Sequence, residues 1–295
     1  MSLDLSGTGV AIITPFKNDK SVDYNALERL IEHIVSNGVE YIVVLGTTGE
    51  SVTLTAEEKR SVTDKVLEVN KGRIPVVLGI GGNDTAEVIH AMKNTNLEGI
   101  SAILSVSPYY NKPTQEGIYQ HYKALNEVSP RPIILYNVPA RTGSNVLART
   151  VLRIASDCPK VIAVKEASGD VGQSMEIIKN RPKGFFVLSG DDLITLPLVA
   201  AGADGVISVV ANAYPKEFSD MVRQAASGDL VSARKNHYLL QDFINYLFAD
   251  GNPGGIKAAL KILGITGDDL RLPLVNVSDA TFNKLEELIK GIKKA

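Results

Sequence analysis

Residues 161–166 read Val-Ile-Ala-Val-Lys-Glu, a continuous apolar run that ends in two charged residues. The run before it, Pro-Ile-Ile-Leu-Tyr at residues 132–136, has the same form, and a longer amphipathic segment separates the two. Continuously apolar strands are typical of a parallel sheet, because helices cover both faces of such a sheet. The two runs therefore predict a strand–helix–strand unit.

Runs of this kind recur eight times, each followed by a turn residue and then by a helix-like segment. They span Val10–Ile13, Tyr41–Leu45, Pro75–Leu78, Ser101–Val106, Pro132–Tyr136, Val161–Lys165, Phe185–Leu188 and Gly205–Val209. Eight β/α units favour an α/β fold of the (β/α)8 TIM barrel type, which typically takes ~250 residues. An open doubly wound sheet is the alternative, but residues 9–16 lack the Gly-x-Gly-x-x-Gly turn that would support it.

Helix signals lie between the runs and continue after the last of them. Thr55 precedes Glu58 by three residues, and Asp84 precedes Glu87 in the same way, which marks two helix starts. From about Gly228 onward the pattern is helical only, with a break at residues 251–255. We therefore predict a barrel catalytic domain at residues 1–228 and a C-terminal helical appendage at residues 229–295.

The composition excludes several classes of protein. Apolar residues make up 44% of the 295 residues and charged residues 22%, which is ordinary globular usage rather than that of a disordered chain. A net charge of −2 gives no basic field for nucleic acid or for an acidic membrane. The single cysteine, Cys158, forms no disulfide within one chain, and no signal peptide or membrane span is evident. We expect a soluble, cytoplasmic protein that acts on small molecules.

Catalytic residues of such a barrel are expected where the strands end, because the active site lies at the C-terminal face. This criterion selects Lys165 with Glu166, and Tyr136 on the run before it. All four histidines fall in predicted helices, so neither a His-based triad nor a His-rich metal site is expected at the barrel mouth. The sequence gives no indication of a metal or cofactor.

Lys165 follows four apolar residues, so its stem is expected to rise through an apolar environment. Such an environment disfavours an ammonium group and leaves an amine that can attack a carbonyl to form a Schiff base. Taken alone, Lys165 is more simply interpreted as a strand-end lysine that pairs with Glu166 or faces solvent. Tyr136 could carry protons beside it, although an aromatic residue at a strand end more often packs in the core.

Two other segments could hold carboxylates. Residues 46–51, Gly-Thr-Thr-Gly-Glu-Ser, combine glycines with two hydroxyls, and free backbone N–H groups in such a turn can bind an anionic oxygen. Arg141, after a Val-Pro-Ala segment, offers a bidentate guanidinium for a second carboxylate. An ordinary glycine turn with threonine caps is an equally good interpretation of the first segment, and a solvated loop arginine is the commoner explanation of the second.

Together, five segments resemble the dihydrodipicolinate synthase family in sequence and in order, nearly from end to end of the chain. They are Gly-Thr-Thr-Gly-Glu-Ser at 46–51, Pro-Tyr-Tyr-Asn-Lys-Pro at 108–113, Leu-Tyr-Asn-Val-Pro-x-Arg-Thr-Gly at 135–143, Val-Lys-Glu-Ala-Ser-Gly at 164–169 and Ser-Gly-Asp-Asp at 189–192. The family belongs with N-acetylneuraminate lyase among pyruvate-dependent class I aldolases on a (β/α)8 barrel. The resemblance therefore implies a Schiff-base enzyme on the fold predicted above.

The resemblance also assigns roles to residues. Lys165 would form an imine with pyruvate, and Tyr136 would move protons, linked through Thr47 to Tyr110 of a neighbouring subunit. Thr47 and Thr48 would hold the pyruvate carboxylate, and Arg141 the carboxylate of aspartate-4-semialdehyde. The remaining residues that would line the pocket, through their backbone groups, are Gly190 and Ile207.

The implied reaction condenses pyruvate with L-aspartate-4-semialdehyde to 4-hydroxy-tetrahydrodipicolinate, in the diaminopimelate and lysine pathway. Arg141 and the loop at residues 109–113 favour this synthase over an N-acetylneuraminate lyase or a 2-keto-3-deoxy sugar acid aldolase. A metabolite-binding barrel without catalysis is a further alternative, but it would not need both a nucleophile and a proton relay. The resemblance also implies a homo-oligomer, with a tetramer built from dimers as the expected form.

One departure from the family pattern predicts altered regulation. Lysine-inhibited members use residues that match Ser51, Asn83, Glu87 and Tyr109 together with histidines, but Ala56 and Lys59 occupy those histidine positions here. Because like charges a few ångströms apart repel, Lys59 would oppose binding of a cationic effector. We expect weak or absent inhibition when lysine is titrated into a steady-state assay; inhibition by micromolar lysine would contradict this expectation.

Overall fold

Eight parallel strands close into a barrel in the computed structural model, which describes residues 3–293. The strands are β1 (Gly7–Ala11), β2 (Tyr41–Val44), β3 (Val76–Gly79), β4 (Ala102–Val106), β5 (Ile133–Asn137), β6 (Val161–Glu166), β7 (Phe186–Ser189) and β8 (Gly205–Ser208). Each strand pairs with the next along the chain, and β8 pairs with β1. The predicted barrel is confirmed, with one strand overlapping each apolar run.

The first strand begins earlier than its apolar run predicts. β1 pairs residues 7–10 with residues 205–208 of β8, so the polar Thr8 lies in the barrel, whereas Ile12 and Ile13 lie beyond the strand. The start of β1 is therefore determined by its pairing with β8 rather than by the hydropathy of its residues. The contact is close, because a Cβ on Gly205 would lie 2.0 Å from the carbonyl oxygen of Gly7.

Helices follow the strands as predicted. They are α1 (Tyr24–Ser36), α2 (Ala56–Asn70), α3 (Thr85–Asn94), α4 (Gln115–Val128), α5 (Pro139–Thr142), α6 (Ala148–Asp157), α7 (Val171–Asn180), α8 (Thr195–Ala200), α9 (Pro215–Ala226), α10 (Leu230–Leu247), α11 (Gly254–Ile262) and α12 (Asp279–Ile292). Thr55 and Glu58 form the expected capping box at the start of α2. Asp84 caps α3 by accepting the N–H of Ala86. All four histidines lie in helices, as predicted.

The continuous apolar runs are explained by two separate cores. Within β5, Ile134 and Tyr136 belong to the cluster inside the barrel, whereas Ile133 and Leu135 belong to the cluster between the strands and the surrounding helices. Successive side chains of a strand point to opposite faces, so a strand that is buried on both faces needs apolar residues at nearly every position.

An irregularity interrupts the pairing of β5 with β6. Ile133 pairs with Val161, but Ile134 pairs with Ala163, so Ile162 is an extra residue in β6. After this bulge the register is regular, with Tyr136 opposite Lys165. The bulge therefore determines which β6 residues face the barrel interior at the C-terminal end.

The C-terminal helices pack against one another and against the last helix of the barrel. α10 contacts α9 and α12, and α11 contacts α12 and α10. The chain after Gly228 is helical, as the pattern predicts, and the domain boundary at that residue remains a prediction. Across residues 3–293, no helix is long and apolar enough to cross a membrane.

We predict that Gly205→Ala lowers the thermal unfolding midpoint, because the new methyl group would press on the Gly7 backbone where the barrel closes. Overpacking of this kind costs about 1–3 kcal/mol. Gly291→Ala is the matched control, since a Cβ there meets no atom within 4 Å and the residue lies in α12. An unchanged midpoint for Gly205→Ala would contradict the close contact.

Candidate active site

The ends of β5 and β6 bring Lys165 and Tyr136 together inside the barrel. The two residues are direct cross-strand partners, and the Lys165 Nζ lies 4.3 Å from the centre of the Tyr136 ring. Lys165 is only 5% exposed and Tyr136 only 7%. A primary amine and a phenol are thus neighbours in a largely apolar environment, as the sequence predicted.

Lys165 and Glu166 do not pair, although the sequence left that possibility open. No ion pair links Lys165 to a carboxylate among residues 3–293, and the Glu166 carboxylate is hydrogen-bonded to Asn137, Ser168 and Gln173. The two side chains are consecutive in one strand and therefore point to opposite faces of it. The Lys165 amine is left available to a ligand.

Gly190 and Ile207 complete the surroundings of the lysine. A Cβ on Gly190 would lie 3.1 Å from Cγ and Cε of Lys165 and 2.6 Å from the Cβ of Ala167, so only glycine fits against the lysine stem. The Gly190 N–H donates to the carbonyl of Glu166 at 2.7 Å, which fixes the backbone at this position. Ile207 is buried in the same interior cluster as Tyr136.

The turn at Thr47–Gly49 follows β2 and is a short 3₁₀ helix. Its first N–H groups have no partner inside the turn, so they can bind an anionic oxygen. Thr47 is exposed and lines the cavity described below, whereas Thr48 is buried. Thr14 fixes the far side of the turn by donating its hydroxyl to the carbonyl of Gly49 at 2.7 Å.

A buried ion pair that sequence reasoning missed fixes the end of this turn. Glu50 has a positive φ of 50°, and its carboxylate lies 2.5 Å from the ammonium of Lys257 on α11, with both side chains fully buried. Lys257 also donates to the carbonyl of Asp269 at 2.8 Å. Burial lowers the pKa of Lys257 to about 8, and the charge of Glu50 opposes that shift. The only sequence signal was the glutamate of the 46–51 motif.

Asn252 is a second site residue that the sequence did not reveal. Its amide donates to the Thr48 hydroxyl at 3.0 Å, and its backbone carbonyl accepts a 3.4 Å hydrogen bond from the Arg141 guanidinium. The segment around it is visible in the sequence only as a break between two helices. Asn252 joins the predicted site of the first carboxylate to the predicted site of the second.

A cavity of about 710 Å³ opens beside these residues. Thr47, Tyr136 and Arg141 line it at the barrel mouth, and it continues between α2 and α3 past Lys59 and His90. Lys59 makes no ion pair with any carboxylate of the described residues. Tyr136 lines this cavity, whereas its cross-strand partner Lys165 does not.

Tyr110 is the one predicted catalytic residue that the single chain does not bring to the site. Its side chain is 87% exposed, and its φ is 68°, in the left-handed region. Asn111 anchors the loop by donating its amide to the carbonyl of Asn83 at 3.0 Å. The loop therefore presents the Tyr110 phenol outward from the barrel mouth.

Asp192 supports the backbone that follows Ile207. Its carboxylate accepts the N–H groups of Val209 and Val210 at 3.0 Å each, and the side chain is buried. Burial raises the pKa of Asp192 to about 6, although these N–H donors and Ser208 act in the opposite direction. No group of three or more His, Cys, Asp or Glu side chains between residues 3 and 293 could hold a metal ion.

Comparison with known proteins gives consistent results. The model of the dihydrodipicolinate synthetase family matches residues 4–292. The 4-hydroxy-tetrahydrodipicolinate synthase of Parabacteroides distasonis is 55% identical over 98% of this chain and 98% of that protein. Dihydrodipicolinate synthase from Aquifex aeolicus superposes with a TM-score of 0.94 at 44% identity, covering 98% of each chain. A structure of a monomeric dihydrodipicolinate synthase variant gives 0.95 at 42% identity, over 98% of this chain and 97% of that one.

We predict that Asp192→Asn changes the pH dependence of stability. Because the native pKa of about 6 exceeds the ordinary 3.8, the folded protein binds this proton more tightly than the unfolded chain does. The stabilisation is complete below pH 3.8 and is lost as the pH rises through 6. The loss amounts to about 3 kcal/mol for the wild type relative to the variant. Unfolding in urea between pH 4 and pH 7 measures it, and parallel curves for the two proteins would contradict the prediction.

Proposed function

This chain belongs to the dihydrodipicolinate synthetase family, and we propose that its reaction proceeds through an imine between Lys165 and pyruvate. The chain is an enzyme, a pyruvate-dependent lyase of the diaminopimelate and lysine pathway that forms 4-hydroxy-tetrahydrodipicolinate. The observation that carries the mechanism is the Lys165 amine, buried in the barrel 4.3 Å from the Tyr136 ring centre.

The first step is attack of the Lys165 amine on the keto carbon of pyruvate. A C–N bond forms, and the carbonyl oxygen leaves as water once it has accepted protons. The Tyr136 phenol, on the ring whose centre lies 4.3 Å from the amine, delivers and recovers them, with the Thr47 hydroxyl at the cavity wall as the next member of the relay. Lys165 is buried and forms no salt bridge among the described residues, so its amine is not occupied by a carboxylate.

The imine then makes pyruvate a carbon nucleophile. Its positive nitrogen withdraws electrons, so the methyl group loses a proton and an enamine forms. The enamine attacks the aldehyde carbon of aspartate-4-semialdehyde, and a C–C bond forms as the aldehyde oxygen takes up a proton. The amino group of the semialdehyde then attacks the imine carbon and closes the ring, which releases Lys165 as a free amine.

Two carboxylate sites orient the substrates for this sequence. The turn at Thr47 and Thr48 supplies free N–H groups and hydroxyls for the pyruvate carboxylate. Arg141, which lines the cavity and is held by the carbonyl of Asn252, supplies a guanidinium for the carboxylate of the semialdehyde. Binding both ends in place removes much of the entropic cost of bringing the reacting carbons together.

A second copy of the chain would supply the Tyr110 phenol. The 87% exposure of Tyr110 and its outward-facing loop support this arrangement, since the side chain can reach a neighbouring barrel more readily than its own. The proposal extends to a homotetramer built from such dimers and to a cytoplasmic location, as expected for a biosynthetic enzyme with a lone buried cysteine.

The two aldolase alternatives would act on sugar acids, which present several hydroxyl groups. Arg141 at the cavity wall suits a small carboxylate substrate better, and the relatives described above carry the synthase name. A barrel that only binds a metabolite would not require the buried amine beside a phenol.

We predict that borohydride added with pyruvate attaches the reduced keto acid to Lys165, as located by mass mapping. Lys165→Ala should give no adduct and no turnover. Tyr136→Phe should lower kcat by roughly 100- to 10,000-fold, the usual contribution of a general acid–base group. Lys93→Arg, on the exposed side of α3, is the control.

Substrate identity is tested in the same assay. Turnover of pyruvate should require aspartate-4-semialdehyde, and N-acetylneuraminate should not be cleaved. Full activity of Lys165→Ala, or an adduct on a different lysine, would overturn the proposed mechanism.

A further inference from the structure

Asn137 and Glu166 form the cross-strand pair that follows the Tyr136–Lys165 pair along β5 and β6. In the β5–β6 register, Tyr136 is opposite Lys165, and Asn137 is opposite Glu166. The first pair points into the barrel, so the second points outward, toward the helices. Both Asn137 and Glu166 are buried.

Both carboxylate oxygens of Glu166 accept hydrogen bonds from Asn137 and from a second donor. The Asn137 amide nitrogen lies 3.0 Å from Oε1 and 2.9 Å from Oε2 of Glu166. The Ser168 N–H donates to Oε1 at 2.8 Å, and the Gln173 amide donates to Oε2 at 3.0 Å. On its other side, Asn137 accepts the N–H of Val146 at 3.0 Å. Glu166 therefore contacts donors from β5, from the loop after β6 and from α7.

Asn137, Ser168 and Gln173 all donate to Glu166, which accepts hydrogen bonds here rather than forming an ion pair. An ionised carboxylate only accepts hydrogen bonds, so four donor contacts satisfy it without a cation. No lysine or arginine in the described part of the chain forms a salt bridge with it. A buried polar network of this kind specifies one arrangement, because an altered one leaves groups unpaired at a cost.

The bulge in β6 explains why the register of the two strands needs such a network. β6 contains one extra residue opposite β5, at Ile162. The register at the N-terminal ends of the two strands therefore does not continue to their C-terminal ends. A slip by one residue would exchange the two faces of the strand and place Glu166, not Lys165, inside the barrel. Apolar packing opposes such a slip only weakly here, because β6 is buried on both faces.

We infer that Asn137 and Glu166 are positioning residues that fix the register in which the Lys165 amine faces the Tyr136 ring. The inference rests on the proposed function, since it concerns the geometry of that amine and phenol. The pair touches neither substrate in the proposed mechanism and acts through the backbone of β5 and β6. A displacement of the reacting groups by about 1 Å can lower a rate by roughly 100-fold.

The test is a reciprocal exchange within the pair. Glu166→Gln places the amide hydrogens of the new side chain against groups that themselves donate, from Asn137, Ser168 or Gln173. Asn137→Asp places two carboxylates against each other. We expect each variant to lower kcat/KM for pyruvate and the rate of borohydride trapping by roughly 100-fold. The KM for aspartate-4-semialdehyde should stay within twofold, because Arg141 is on a different loop.

The double variant Asn137→Asp/Glu166→Gln restores one carboxylate and one amide and should regain at least tenfold over either single variant. It also keeps the inference testable if a single variant does not fold. Glu116→Gln is the matched control, because it makes the same substitution at an exposed ion pair with Arg153 and should leave kcat unchanged.

Two results would overturn the inference. One is a folded Glu166→Gln protein whose kcat/KM for pyruvate is within twofold of the wild type. The other is a folded double variant whose trapping rate stays about 100-fold below the wild type, since that would make the charge at residue 166, not the pairing, the important factor. Failure of the proposed function is distinguishable, because the wild-type protein would then give no pyruvate adduct on Lys165.

Discussion

The pairing of β5 with β6 is the constraint on which the chemistry depends. It places a primary amine against an aromatic ring inside a barrel where Lys165 is 5% exposed. The barrel interior surrounds the stem of Lys165 with apolar side chains and a glycine that leaves room for it. The same strands place Asn137 and Glu166 on the outer face, so one backbone register serves both the site and its support.

The C-terminal helices contribute to the barrel mouth rather than only covering it. Lys257 on α11 reaches Glu50 at the end of the 47–49 turn, and Asn252 bonds to Thr48 and Arg141. A buried ion pair adds little net stability, because desolvation of two charges offsets their attraction, but loss of one partner is costly. The Glu50–Lys257 pair therefore acts chiefly as a specific link that holds the proposed carboxylate-binding turn in one conformation.

The two proposed carboxylate sites differ in how they are built. The first uses backbone N–H groups of a turn that is anchored by the hydroxyl of Thr14 and by the Glu50–Lys257 ion pair, so it is rigid. The second uses Arg141, an exposed side chain held by one long hydrogen bond, at the wall of the cavity. In the proposed mechanism, a rigid inner site suits the small keto acid, and a more open outer site suits the substrate that enters after it.

The eight strands, the helix caps and the candidates Lys165 and Tyr136 were all predictable from sequence, because apolar runs, capping residues and strand ends are local patterns. Residues at the ends of parallel strands meet at one face whatever the details of packing. The start of β1, the bulge at Ile162 and the direction of Glu166 were not predictable, since each depends on which backbone groups pair across strands. Asn252 lies about 200 residues from Thr48, and Lys257 lies about 200 residues from Glu50. No local pattern encodes a contact of that range, so only the closed barrel with its packed helices brings these groups together.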